Sequence, residues 1–284
     1  DSSLFTIDAN TGELNFNNAP NFESPLDADG NNIYDVEITA DDGNGGSDSQ
    51  TLTITVNDIN ESPTITSNAT PNLDENTPLV TTITATDPDG DIPTFSITGG
   101  SDSSLFTIDA NTGELSFNNA PNFESPLDAD GNNSYDVEIT ADDGNGGNDI
   151  QILTITVNNI NESPTITSNA TLNLDENTTL VTTVAATDPD GDIPTFSITG
   201  GTDSSLFTID ANTGELSFNN APNFESPIDT DGNNSYDVEI TADDGNGGSD
   251  SQTLTITVND INESPLANND NFSTDEATAF TTAN

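Results

Sequence analysis

The sequence predicts an all-β chain of tandem immunoglobulin-like Greek-key sandwiches. Three observations carry this. One block recurs with a fixed period of 101 residues. Within each block, apolar and polar residues alternate with a period of two, which marks half-buried strands. Gly-, Asn- and Asp-rich stretches separate the alternating runs, giving about seven short strands per ~100 residues, the density of an immunoglobulin-like sandwich.

The repeat is strict. The run DSSLFTIDANTGEL begins at Asp1, Asp102 and Asp203, and LDENT begins at Leu73 and Leu174. A solenoid repeats every ~20–50 residues, so this period suits domains that each bury their own core. The expected organisation is a repeat over 1–62 without its opening strands, full repeats over 64–163 and 165–264, and the start of a further truncated sandwich over 266–284, whose opening departs from the repeat. With no Met, the sequence reads as a piece of a longer chain.

Each element has its own signal. Phe106 and Ile108, then Leu115 and Phe117, flank a turn from Asp109 to Gly113, which reads as a hairpin with Gly113 at positive φ. In YDVEITADDG, Tyr135, Val137 and Ile139 alternate with Asp136, Glu138 and Thr140. In LTITVN, Leu153, Ile155 and Val157 alternate with threonines. No window carries a convincing helical period.

Composition excludes several functions. The 284 residues carry a formal charge of −51, with no Lys, Arg, His, Cys, Met or Trp. Nucleic-acid binding requires cations that displace phosphate counterions, so no nucleic-acid partner is expected. No apolar run approaches the ~18 residues of a membrane span. Nucleophilic triads need a base that is missing, and the chain is read as non-enzymatic. Low hydrophobicity with high charge is also the mark of disorder; the β patterning and the strict repeat argue against it.

The acidic residues gather at strand ends and turns: NDINESP from Asn57, DPDGD from Asp87, DADGNN from Asp128 and ADDGNGG from Ala141. Asp, Asn and Gly favour turns in any case, so a single such run reads as a solvated loop. Two carboxylates ~4 Å apart repel by about 1 kcal/mol in water and about 4 kcal/mol at an effective dielectric of 20. A cluster of them therefore calls for a cation, and oxygen donors without His or Cys suit calcium. The run from Asp128 is not an EF-hand loop, because its sixth and twelfth positions are Asn133 and Ile139.

In order, LDEN, ATDPDGD, FTIDANTGEL, YDVEITADDG and VNDINESP resemble the cadherin repeat, more closely its bacterial cadherin-like relatives in large surface adhesins. The resemblance covers nearly the whole chain. It implies cadherin-like sandwiches with Ca²⁺ held between successive repeats. For the first junction it implies ligands Glu23, Asp58, Asn60 and Glu61 facing Asp87, Asp89 and Asp143. For the second it implies Glu75, Glu124, Asn161, Glu162, Asp188, Asp190 and Asp244. For the third it implies Glu176, Glu225, Asp260, Asn262 and Glu263. This chain departs from the family in a linker one residue short, in Asn122 where an Asp is usual, in Asn159 where the other linkers have Asp58 and Asp260, and in the inserted DADGNN. Whether Asp27, Asp29, Asp128, Asp130, Asp229 and Asp231 are ligands stays open. The implied role is a calcium-stiffened extender of a cell-surface or secreted adhesin, outside the cell. The alternative is adhesion by the repeats themselves, to another copy or to a glycan. The implied partners are calcium, neighbouring repeats, and other cell surfaces reached through domains beyond this chain.

Overall fold

The computed structural model describes residues 1–265. The expected further sandwich over 266–284 lies outside the described residues. The chain divides into two compact units, Asp1–Ile160 and Asn161–Asn284.

In the first unit, the leading residues form two hairpins: β1 (Phe5–Ile7) with β2 (Leu14–Phe16), and β3 (Ile33–Asp41) with β4 (Ser47–Thr55). A complete sandwich follows. Its strands are β5 (Thr64–Ile65), β6 (Asn72–Asp74), β7 (Leu79–Thr82), β8 (Ala85–Thr86), β9 (Thr94–Gly99), β10 (Phe106–Ile108), β11 (Glu114–Phe117), β12 (Ser134–Asp142) and β13 (Asn148–Asn158). One sheet runs β6-β13-β12-β9 and the other β10-β11-β7. β5 pairs antiparallel with β8, while β6, a few residues on, pairs parallel with β13.

The core follows from the alternation. Tyr135, Val137, Ile139 and Ala141 of β12 face inward with Leu153, Ile155 and Val157 of β13, all at 0–1% exposure. The expected hairpin forms, with Phe106 against Phe117 and Ile108 against Leu115. The Phe106 and Phe117 rings lie 4.3 Å apart, and Tyr135 meets Phe117 edge-on at 5.0 Å. In the leading repeat, which holds only its two hairpins, the counterparts Ile38, Leu52, Ile54 and Val56 are only half-buried. Tyr34 and Val36 stay buried there, at 1% and 4%, with Phe5 and Phe16 of the β1–β2 hairpin packed against Tyr34, so the loss of sealing falls on the inward positions beyond that hairpin.

The second unit repeats this sandwich with β14 (Thr165–Ile166), β15 (Thr171–Asp175), β16 (Leu180–Thr183), β17 (Ala186–Thr187), β18 (Thr195–Gly200), β19 (Phe207–Ile209), β20 (Glu215–Phe218), β21 (Ser235–Asp243) and β22 (Ser249–Asn259). Its sheets are β15-β22-β21-β18 and β16-β20-β19. Tyr236, Val238, Ile240, Leu254 and Ile256 fill its core at 0% exposure. Among the described residues no helix is long and apolar enough to cross a membrane.

Candidate metal centres

In the first unit, the linker after β4 brings acidic groups of two repeats together. Glu23, Asp58, Glu61 and Asp89 each place a carboxylate oxygen within 4.8 Å of the others. Asp89 does so from the DPDGD turn, where Asp87 Oδ1 accepts the Asp89 N–H at 2.9 Å. Asp89 Oδ2 accepts the Glu61 N–H at 2.8 Å. Asn60 Nδ2 donates to Asp143 Oδ2 at 2.9 Å, and Asp143 Oδ1 accepts the N–H groups of Asn145, Gly146 and Gly147. Gly147 makes this approach possible: a Cβ there would lie 2.8 Å from Ser62 Cα and 2.9 Å from Glu61 O.

The electrostatics show groups packed without compensation. Desolvation, then the carboxylates of Asp89 and Glu23, raise the Asp58 pKa. Desolvation, then Glu23 and Asp89, raise that of Glu61. The Asn60 amide holds Asp143 below the ordinary range. Both carboxylate oxygens of Glu23, one of Glu61, Asp87 Oδ2 and Asp89 Oδ1 are sealed from solvent and accept no hydrogen bond. Buried oxygens are normally paired. An all-oxygen set with orphaned, crowded carboxylates fits a hard divalent cation, calcium before Mg²⁺, because calcium tolerates six to eight oxygen donors in flexible geometry.

The other expected residues fall into matching places. In the first unit, Glu75 is 1% exposed; its carboxylate accepts the N–H groups of Phe123 at 2.8 Å and Ile160 at 3.0 Å. Glu124, next to Phe123, is half-buried. In the second unit, Asn161 Nδ2 donates to Asp244 at 2.9 Å, Asp190 accepts the Glu162 N–H at 2.8 Å, and Asp188 lies in the DPDGD turn with Asp190. Glu176, Glu225, Asp260 and Glu263 come within 4.8 Å of one another. There the N–H groups of Ile261 and Phe224 lower the Glu176 pKa, while desolvation, then Glu176 and Glu225, raise that of Glu263. Asn262 is exposed on the same stretch.

Sequence reasoning passed over Asp91 and Asp192. They join Asp87 with Asp89, and Asp188 with Asp190, as third members of carboxylate groups within 4.8 Å, and each accepts an amide N–H at 2.7 Å, from Asn145 and Asn246 respectively. The signal was present in the D-x-D-x-D spacing. The inserted DADGNN carboxylates stand outside all of these groups. Asp128, 8% exposed, accepts the N–H groups of Asn132 and Asn133. Asp130 accepts Asn132 Nδ2.

A sequence model of the cadherin domain matches residues 70–158 and 170–259. Neural-cadherin of Drosophila melanogaster is 32% identical over 235 residues, covering 75% of this chain and 7% of that protein. Protocadherin Fat 4 of Mus musculus is 30% identical over 284 residues, covering 93% of this chain and 5% of that protein. The chain thus spans less than a tenth of the length of these relatives. The crystal structure of the protocadherin gammaB4 extracellular domain is similar with a TM-score of 0.53 at 20% identity, covering 90% of this chain and 44% of that one. These relatives are animal cadherins, and the expected kinship with bacterial surface adhesins finds no support among them.

Proposed function

We propose that this chain, which belongs to the cadherin domain family, is a calcium-stiffened extracellular spacer whose repeats, bounded at 1–62, 64–163 and 165–264, hold a binding region away from a surface. The observation that carries this is the group of Glu23, Asp58, Glu61 and Asp89, with orphaned oxygens in a chain that has no Lys or Arg. Ca²⁺ there takes oxygens from both repeats, with Asp87, Asp143 and Asn60 completing or orienting the set. The 101-residue period gives their counterparts within each unit the same roles: Glu124 with the buried Glu75 in the first, and in the second Asn161 and Glu162 with Asp188, Asp190 and Asp244, then Glu225, Asp260, Asn262 and Glu263 with the buried Glu176. The family to which the chain belongs is one of adhesion domains and not of enzymes, and near-identical copies suit a spacer better than a unique site.

Binding to the native state alone stabilises by about 2.7 kcal/mol at a hundredfold excess over Kd. Calcium at millimolar concentration should therefore raise the melting temperature over that in chelator, and small-angle scattering should show a larger radius of gyration with calcium. Identical melting and scattering with and without calcium would rule the reading out.

One observation favours adhesion by a repeat face. Ile150 and Ile152 on β13 are 54% and 59% exposed, where the other copies carry Ser49 and Thr51 or Ser251 and Thr253. Concentration-dependent association in sedimentation that disappears in an Ile150→Ser/Ile152→Thr variant would support this second reading.

A further inference from the structure

The insertion DADGNN contributes no carboxylate to the clustered groups, yet its last residue is among the most buried polar groups of the chain. Asn32, Asn133 and Asn234 are 7–8% exposed and adopt φ of 62–63°, a left-handed conformation that Gly, Asn and Asp tolerate and most residues do not. In each copy the side-chain amide performs the same act. Asn32 Nδ2 donates to Phe22 O at 2.8 Å, Asn133 Nδ2 to Phe123 O at 2.8 Å, and Asn234 Nδ2 to Phe224 O at 2.9 Å. The residue after each phenylalanine is a proposed calcium ligand: Glu23, Glu124 or Glu225.

The same phenylalanines are held from the other side. Glu75 Oε2 accepts the Phe123 N–H at 2.8 Å, and Glu176 Oε2 accepts the Phe224 N–H at 2.9 Å. Both backbone polar groups of Phe123 and of Phe224 are therefore fixed. The asparagines are themselves anchored. Their carbonyls accept the N–H groups of Val56, Val157 and Val258 at 2.9–3.0 Å, at the ends of the long hairpins. Asp27, Asp128 and Asp229 accept their backbone N–H groups. Consecutive Cα atoms are 3.8 Å apart and calcium–oxygen distances span only about 2.3–2.6 Å. A rotation at the phenylalanine thus displaces the glutamate by more than the ion tolerates.

We propose that Asn32, Asn133 and Asn234 are positioning residues for Glu23, Glu124 and Glu225, and that the inserted loop exists to place them. The inference rests on the calcium reading above. The residue must combine positive φ with an amide donor; Gly supplies only the first, and Asp replaces the donor with an acceptor.

The test uses the full chain carrying N32G/N133G/N234G, and a second form with the three Asn→Asp changes. Calcium affinity is read by titration calorimetry and stability by calcium-free melting, with single N234G as the least disruptive variant. The glycine form should bind calcium about ten-fold or more weakly, the aspartate form should not recover it, and N234G should weaken only part of the total binding. A purely structural role would lower calcium-free melting and leave affinity unchanged, which overturns the proposal. Wild-type protein that binds no calcium would remove the calcium reading and this inference with it; wild-type binding with wild-type-like affinity in both triple variants would remove this inference alone.

Discussion

Asp58 and Glu61 sit where their neighbours favour protonation, whereas the turn aspartates sit where the backbone favours charge. Asp109 accepts the N–H groups of Thr112 and Asn111, and these, Thr112 first, lower its pKa. Asp8 and Asp210 do the same in the other copies. The signs oppose. A carboxylate with a raised folded pKa binds more protons folded than unfolded, so it destabilises as pH rises through a window above the ordinary value of about 4. A lowered one stabilises above that value and loses its contribution below it. Without calcium, acidification from neutral pH toward the ordinary carboxylate range should therefore raise the melting temperature through Asp58, Glu61 and Glu263, and acidification below that range should lower it. With calcium the early rise should vanish, because protons then compete with the ion. A calcium-free melting temperature that falls steadily from neutral pH downward would contradict the crowding of these carboxylates. Asp58→Asn makes the same point at one residue. It removes a repelling charge, so calcium-free melting should hold or rise, while calcium affinity should fall about ten-fold. A fall in calcium-free melting would mean that Asp58 has a stabilising partner.

At the scale of elements, the β10–β11 hairpin is the clearest case of sequence dictating structure. Gly113 ends its turn at φ 72°, and a Cβ there would lie 2.2 Å from Ile83 O. Gly131 has nearly the same φ, 71°, with nothing within 4 Å of its Cβ position. Gly113→Ala should then cost several kcal/mol, against about 1 kcal/mol for Gly131→Ala, measured by denaturant unfolding in saturating calcium. Equal costs would show that β7–β8 yields to the added methyl. The hairpin and the long strands β12 and β13 were legible because their signals are local: alternation, a Gly at the turn, and a short separation between partners. The division of the opening strand was not. β5 and β6 join different partners, β8 and the distant β13, and nothing in their own residues names a partner some 84 positions away, such as Asn158 for Asp74. The candidate site was legible only as a set of carboxylates. Its carboxylates stood out as charge at strand ends, whereas Asn133 looked like one more turn residue, because the role proposed for it depends on the Phe123 carbonyl ten positions back.

For the whole molecule, the decisive quantity is −51 with no cationic side chain. Every interaction between charged side chains is therefore repulsive, and no internal ion pair between side chains relieves it. Two agents lower this repulsion, and they act differently. Monovalent salt shortens the screening length from about 10 Å at 0.1 M to about 3 Å at 1 M, which weakens repulsion between distant charges and leaves carboxylates within a few ångströms largely unscreened. On the proposed reading, calcium would enter the clusters themselves. Sodium chloride should therefore raise calcium-free melting gradually up to molar concentration, while calcium should raise it further at millimolar concentration and flatten the remaining salt dependence. Magnesium separates site from screening. It carries the same charge, but it holds its water shell and demands octahedral geometry at about 2.0–2.1 Å, so at equal concentration it should give only a small part of the calcium effect. Melting curves across the three salts decide the matter. If magnesium equals calcium, or if molar sodium chloride alone reproduces the full calcium gain, the acidic clusters act as a diffuse charge and not as sites, and stiffening by bound ions loses its basis.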